Sequence, residues 1–476
     1  MANPSARLQP LTSEELTSAK EEIEEEKNEL STPGTLIARN QTAFIVNAEV
    51  PAKDDFSALG DGTRAWWMMG THSIPQHIIE QADENVLALL PAGTEVISIH
   101  PHEKSTWSRT ANMQTELDGN CVSYFIKATD YRSGRIMYHS EYGSLKAIHD
   151  AVPGICPEPI GWGHYASDPS VFFLLCHFVH IFSDLPSINL LPARMAQLHD
   201  RAIAKDGNFG WHVPIAGGQM PVIVAKSHSW EDLFTRYMRY MFRAEEITQG
   251  PRTPEIERLT GVLFNRIIPR LLRPLETGGR ELIPRLLHTD LWTGNLGVND
   301  EGDAIVFDPM SMYGHNEMDI GVWNNARQKT GMPFINKYHS LFPRSAPEED
   351  SYGRILLYTL AFNVRIAATK IDNPIYRDDI ARSLAELDNL YPETYEEWAK
   401  SRNEPPPFPE PNDDASNLIR QLRRPTNSNC RAATHPSHSR FQDRSEVEAF
   451  AHGDGHIGMT PNRLSRGGGH YSGLFP

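Results

Sequence analysis

Apolar and polar residues alternate in parts of Val96 to Ala128, closing on the run Val122-Ser-Tyr-Phe-Ile-Lys127. A period of two predicts strands of a small antiparallel sheet, with Lys127 at a strand end. In HSEYGSLKAIHDAV, Leu145, Ile148 and Val152 recur at i, i+3 and i+7, which predicts a helix with one apolar face and Glu141 near its start. Phe172 to Phe182, FFLLCHFVHIF, is one unbroken apolar run. It reads as a buried strand that leads into Ser183-Asp184-Leu185-Pro186, a natural hinge. Beyond Pro186 the period lengthens. Leu191, Met195 and Leu198 share one face of a helix predicted over Leu190 to Ala202. Further helices are predicted over Trp230 to Phe242, Ile256 to Leu272, Ile355 to Ile371 and Ile380 to Leu390. Strands first and helices afterwards describe an α+β chain of two lobes.

The ends read differently. Residues 1–34 are polar and carry the acidic block Glu21, Glu22, Glu24, Glu25 and Glu26, which reads as a charged extension. Between Arg39 and His100 lie short apolar runs and the cluster Trp66-Trp67-Met68-Met69, with no legible chemistry. After Glu404 comes EPPPFPEPNDD and then a stretch rich in Asn, Ser, Arg and His, a composition that cannot bury enough apolar surface to order itself. Four regions are expected: 1–34, an N-lobe over 35–182, a C-lobe over 183–400 and a disordered tail over 401–476. Length supports the division, since 476 residues suit two to three domains. A net charge of -16 argues against nonspecific binding to nucleic acid or anionic membrane. The widely spaced Cys121, Cys156, Cys176 and Cys430 include no CxxC pair, so a structural zinc is not expected. With no spanning stretch and no basic-then-apolar N-terminus, a cytoplasmic protein is expected.

The candidate chemistry is concentrated in HTDLWTGN, His288 to Asn295, and FDPMSMYGHNEMD, Phe307 to Asp319. Asp290 and Asn295 are five apart and Asp308 is eighteen beyond Asp290, a spacing suited to a catalytic loop, a hairpin and a metal-binding aspartate. In phosphoryl transfer the first Asp takes the proton of the acceptor hydroxyl, while Asn295 and Asp308 are the magnesium ligands. The plain alternative is that these are ordinary turn residues. Lys127 and Glu141 form the candidate ion pair that holds nucleotide phosphates, against a solvated lysine and a glutamate serving the helix dipole. The nucleotide-covering loop falls at His102 to Thr110, without a glycine. There Ser105, Thr106 and Ser108 are the candidate phosphate donors, Arg109 adds charge, and Trp107 has to point away. His288 is read as bracing the catalytic loop. Trp292 is open between stacking on a sugar and packing in the loop. Tyr313, His315, Glu317 and Asp319 read as braces, and His315 is also a candidate acceptor-binding residue.

These two motifs resemble the HGDLWxGN and FDPxxxYGHxExD signatures of the fructosamine kinase (ketosamine 3-kinase) family. Aminoglycoside and choline kinases share the HxD…N core but usually lack the Trp and the YGHxExD run. The resemblance extends from about Lys127 to Tyr391. It implies a bilobal protein kinase-like fold, with a small antiparallel sheet and one main helix in the N-lobe and a larger, mainly helical C-lobe. It also implies ATP and Mg2+ as cofactors. The implied acceptors are ketosamines, either small molecules or ribulosamine and fructosamine on protein lysines. Phe209 to Pro221 resembles the family segment near the sugar acceptor, and Thr289 stands where the family has glycine. Two other readings stay open. One is a kinase of another hydroxylated metabolite, aminoglycoside-like. The other is a pseudokinase, favoured by the glycine-free loop and Thr289 and opposed by the intact Lys127, Glu141, Asp290, Asn295 and Asp308.

Overall fold

The computed structural model describes residues 74–370 and 374–404, together with Leu59, Ala65 and Trp67. The acidic N-terminal block, the other members of the tryptophan–methionine cluster and the histidines of the tail lie outside the described residues.

The N-lobe is built on a five-stranded sheet of order β1-β2-β3-β5-β4, in which every neighbouring pair is antiparallel. The strands are β1 (Glu95–Lys104), β2 (Arg109–Leu117), β3 (Asn120–Thr129), β4 (Pro159–His164) and β5 (Phe172–His177). Alternation divides the sheet residues between two faces. Ala111, Met113, Tyr124, Ile126, Phe173 and Leu175 pack under Ile78, Ile79 and Val86. Leu174 and Cys176 face the other way, onto Met137, Tyr138, Leu145 and Ile148 of α1 (Gly134–Ala151). Lys127 lies between Ile126 and Ala128 and so shares the α1 side. The long apolar run is shorter as a strand than its letters imply. β5 ends at His177, and the chain then crosses as an extended linker to Phe182, which bridges to Val298 of the C-lobe.

The C-lobe is mainly helical, with α2 (Leu191–Arg201), α3 (Trp230–Gln249), α4 (Pro254–Val262), α5 (Ile268–Leu272), α6 (Glu317–Gly321), α7 (Gly331–His339), α8 (Ser351–Thr369), α9 (Pro374–Leu390) and α10 (Tyr395–Ser401). The helix expected over Ile256 to Leu272 passes through a π-helical turn, Leu263–Ile267, between α4 and α5. α8 is the central post: nearly all of it is buried, and α3, α6 and α9 pack around it. Two-stranded antiparallel pairs carry the functional loops: the hairpins β6 (Ile215–Gly217) with β7 (Met220–Val222) and β9 (Leu296–Val298) with β10 (Ala304–Val306), and the pair β8 (Arg285–Leu287) with β11 (Met312–Gly314), which brackets the second hairpin. Trp67 is buried, and its indole N–H donates to the carbonyl of Ala368 at 2.9 Å, near the end of α8. Among the described residues no helix is long and apolar enough to cross a membrane.

Candidate active site

Lys127 is the first anchor. Its Nζ lies 2.8 Å from Glu141 Oε1 and 2.5 Å from Asp308 Oδ1, so one ammonium joins β3, α1 and the loop after β10. Glu141 does not begin its helix, as the sequence suggested; α1 starts at Gly134. It occupies the middle of the apolar stripe Tyr138, Leu145 and Ile148, which carries the carboxylate inward beneath the sheet. Burial alone would lower the lysine, but the two carboxylates outweigh it and hold Lys127 well above its usual range. The same burial pushes Glu141 up against the pull of Lys127, and the neighbouring Asp308 carboxylate adds to the rise.

Asp290 and Asn295 come together in the loop between β8 and β9. The Asn295 amide donates to both the main-chain oxygen and Oδ2 of Asp290, each at 3.0 Å. With its N–H donors so committed, the amide is left with its carbonyl oxygen, an acceptor, for a ligand. Asp308 stands at φ +55, and its side chain is about half exposed. One of its carboxylate oxygens is taken by Lys127, which leaves the other for a ligand. The Asn295 carbonyl oxygen and the Asp308 carboxylate are hard donors and fit magnesium, which takes few protein ligands and keeps waters.

The loop geometry has its own support. Thr289 is at φ +63, a left-handed conformation costly for a β-branched residue. Its N–H donates to Asp319 Oδ1 at 2.6 Å, and its hydroxyl donates to the carbonyl of Met310 at 2.6 Å. The N–H of Met310 returns to the carbonyl of His288 at 3.0 Å. Thr289 is therefore strained where the family has glycine, and its hydroxyl fastens this loop to the segment after Asp308. Asp319 Oδ2 accepts the N–H of His288 at 2.7 Å and the ring of His199 at 3.1 Å, so this carboxylate serves the catalytic loop rather than the amides of its own helix. His288 is fully buried and accepts the N–H of Asp290 on Nδ1 at 3.2 Å. Burial lowers its pKa, and it holds the loop from behind.

Several sequence-based candidates fall elsewhere. His315 is fully buried, with its ring nitrogens 2.8 Å from the Tyr358 hydroxyl and 2.8 Å from Ser345 Oγ. It cannot meet an acceptor and acts only as a brace. Glu317 receives Arg354 at 2.7 and 3.1 Å beside it, completing a buried support beneath the loop. In the nucleotide loop, Ser108 is buried and its hydroxyl accepts from Tyr138 at 2.9 Å, so it faces α1 and not a phosphate. Arg109 donates to the carbonyl of Ile74 at 2.6 Å. Ser105 Oγ accepts the N–H of Trp107 at 3.2 Å, and Thr106 is exposed at the loop tip. Trp107 does point away: it lies against Gly218 in the β6–β7 turn, where a Cβ would come within 2.9 Å of its ring. Trp292 folds back over Gly294, where a Cβ would be 2.0 Å from the ring. Among the described residues no hydrogen bond engages the backbone N–H groups of Val179, His180 or Ile181 in the linker between the lobes.

Sequence reasoning missed Arg365. This α8 residue is buried, forms an ion pair with Asp290 Oδ1, and places Nη1 3.3 Å from Met310 Sδ. The signal was a single charged residue inside LAFNVRIAA, a mostly apolar helical stretch.

Residues 94–369 match the family model of fructosamine kinase. The chain is 28% identical over 237 residues to a chloroplastic protein-ribulosamine 3-kinase of Oryza sativa subsp. indica, covering 50% of this chain and 65% of that protein. It is 26% identical over 258 residues to the ketosamine-3-kinase of Mus musculus, covering 50% of this chain and 79% of that protein. The chain thus spans less than two-thirds of the rice protein's length. A crystal structure from Thermobifida fusca, assigned as a fructosamine-3-kinase, superposes with a TM-score of 0.51 at 20% identity, covering 65% of this chain and 100% of that one. The bilobal α+β architecture is the kinase-like fold, and the chain belongs to the fructosamine kinase family, among the phosphotransferases.

Proposed function

We propose that this protein transfers the terminal phosphoryl group of ATP to a sugar hydroxyl of a ketosamine, as a 3-kinase acting in the cytoplasm on ribulosamine or fructosamine carried by protein lysines or small molecules. The observation that carries the reading is the convergence of two constellations in a chain of this family. Lys127, Glu141 and Asp308 form the phosphate side, and Asp290 with Asn295 forms the acceptor side.

In this reading Asp290 orients the acceptor hydroxyl and takes its proton. The hydroxyl oxygen bonds to the γ-phosphorus as the bond from that phosphorus to the β–γ bridging oxygen breaks, and the electron pair leaves with ADP. Lys127, itself buried, offsets phosphate charge, and a cation fixed in such surroundings acts more strongly than one in bulk solvent. Asn295 and Asp308 would hold magnesium, which supplies further positive charge against the phosphate oxygens. In the same reading Ser105 and Thr106, in the loop between β1 and β2, cover the nucleotide. The buried Asp319 and His288 keep the loop in shape.

The test is ATP consumption over a panel of glycated peptides, free ketosamines, free sugars and aminoglycosides, run with wild type and Asp290→Asn. Turnover on ribulosyl-lysine peptides, lost in the variant, is expected. Equal residual turnover of both proteins on every acceptor sinks the proposal, and turnover confined to aminoglycosides transfers it to a different acceptor class.

A further inference from the structure

We infer that Arg365 is the positioning residue of the proposed base, fixing the Asp290 carboxylate from the C-terminal half of α8. The inference rests on Asp290 as the group that meets the acceptor. Arg365 lies in a stretch of α8 where Leu360, Ala361, Val364, Ala367 and Ala368 are all buried, and it is itself only 5% exposed. A guanidinium cannot be deprotonated there and needs an anionic partner. Its carboxylate is Asp290, and no other described residue forms an ion pair with Asp290. Burial opposes the charge on Arg365, yet Asp290 and Tyr237 nearby hold the guanidinium above its ordinary range.

The geometry goes beyond neutralising a charge. Asp290 Oδ1 receives Arg365 and Oδ2 receives the Asn295 amide, so two donors from different elements define the carboxylate plane. Asn295 is also a proposed metal ligand, and Lys127 is engaged with Glu141 and Asp308. Arg365 is therefore the restraint on Asp290 with no second role in binding. Its other terminal nitrogen, against Met310 Sδ, sets the guanidinium between the loop bearing Asp290 and the segment following Asp308. Each carboxylate oxygen still has a lone pair left for the acceptor hydroxyl. A pair that served stability alone would lower the melting temperature when broken and leave the turnover of folded protein intact.

The experiment uses the full chain and compares wild type with Arg365→Lys, Arg365→Met and Arg365→Ala, measuring ADP release with a ribulosyl-lysine peptide. Misplacing an acid–base group costs on the order of 100-fold in turnover. The expected result is that Arg365→Met loses roughly this factor in kcat with KM for ATP within about twofold of wild type. Arg365→Lys should keep about tenfold more activity than Arg365→Met, because a cation still reaches the carboxylate. Added methylguanidinium should restore turnover to Arg365→Ala, a rescue that a purely structural role does not give. Should the methionine variant not fold, the lysine variant and the rescue decide. Wild-type kcat in the folded variants, a loss confined to KM for ATP, or no rescue of a folded alanine variant overturns the inference. If wild type ignores ketosamines, the proposed function fails instead. The same variants are then compared in acceptor-free MgATP hydrolysis, where water replaces the acceptor, and wild type lacking both activities overturns the two together.

Discussion

Replacing Thr289 by valine removes one hydroxyl and little else. Both side chains are β-branched, so the cost of φ +63 is common to the two proteins and cancels in the comparison. What is lost is the 2.6 Å bond from the threonine hydroxyl to the carbonyl of Met310, a residue that is itself buried. A buried acceptor left without its partner costs about 1–3 kcal/mol. In a fold of roughly 300 residues, each kcal/mol corresponds to roughly 1.5–2 °C in melting temperature. Thr289→Ser keeps the hydroxyl and should stay close to wild type. Thr289→Gly loses the bond but relieves roughly 1–2 kcal/mol of left-handed strain, less about 0.5–1 kcal/mol of chain entropy, and should fall between valine and wild type. The assay is urea unfolding at constant m, with kcat measured alongside because Asp290 is the next residue. A valine variant as stable as wild type, or a serine variant as weak as valine, refutes the idea that this hydroxyl compensates for the missing glycine.

Asp319→Asn should cost about 2–4 kcal/mol, because its carboxylate accepts the N–H groups of His288 and Thr289 and an amide turns a donor toward one of them; denaturant midpoints and kcat should fall together, and an unchanged midpoint contradicts the bracing role. Gly294→Ala drives a methyl into the ring of Trp292 and should cost about 1–3 kcal/mol, most of it recovered when Trp292 is also made leucine; failure of the second change to help removes the clash as the cause. Acid should destabilise the fold beginning below about pH 6.5. Burial keeps His315 neutral down to about 3, so the unfolded chain binds a proton first and stability drops as pH falls. Glu317 adds to this below 4.5: burial opposes its charge, but Arg354 draws its carboxyl down to about 2, so its contribution is present above the unfolded pKa and lost as pH falls. Each titrating group contributes about 1.4 kcal/mol per pH unit, and unfolding free energies that stay level between pH 7.5 and 4 rule this out.

Much of the site was legible because its chemistry is written in short, local patterns. The Asp290, Asn295 and Asp308 spacing lies within one loop and one hairpin, and the period of two places Lys127 on the face beneath which α1 must pack. The helical period also contains the reason Glu141 points inward, since it falls in register with Tyr138, Leu145 and Ile148. Reading it as a helix start overlooked the preceding two turns. His315 was harder. An imidazole in a motif invites a binding role, and only the fold reveals that Tyr358 and Ser345 occupy both nitrogens. Ser108 misled for a related reason: a serine in a phosphate-covering loop has no sequence mark that says its hydroxyl turns toward Tyr138. The partner of Arg365 was out of reach by distance along the chain. Its ion pair joins residues 75 apart, and nothing local to either announces the other.

On the proposed function Asp290 serves a ketosamine hydroxyl while Lys127 and Asp308 serve the nucleotide. The most direct measurement is transfer of label from γ-labelled ATP to a ribulosyl-lysine peptide, with the phosphorylated carbon located by phosphorus-coupled NMR. The expected product is a phosphate monoester on the sugar, at its third carbon, formed by wild type and not by Asp290→Asn, although both proteins bind MgATP. Label that stays in ATP and free phosphate, or that reaches the peptide equally with either protein, contradicts it.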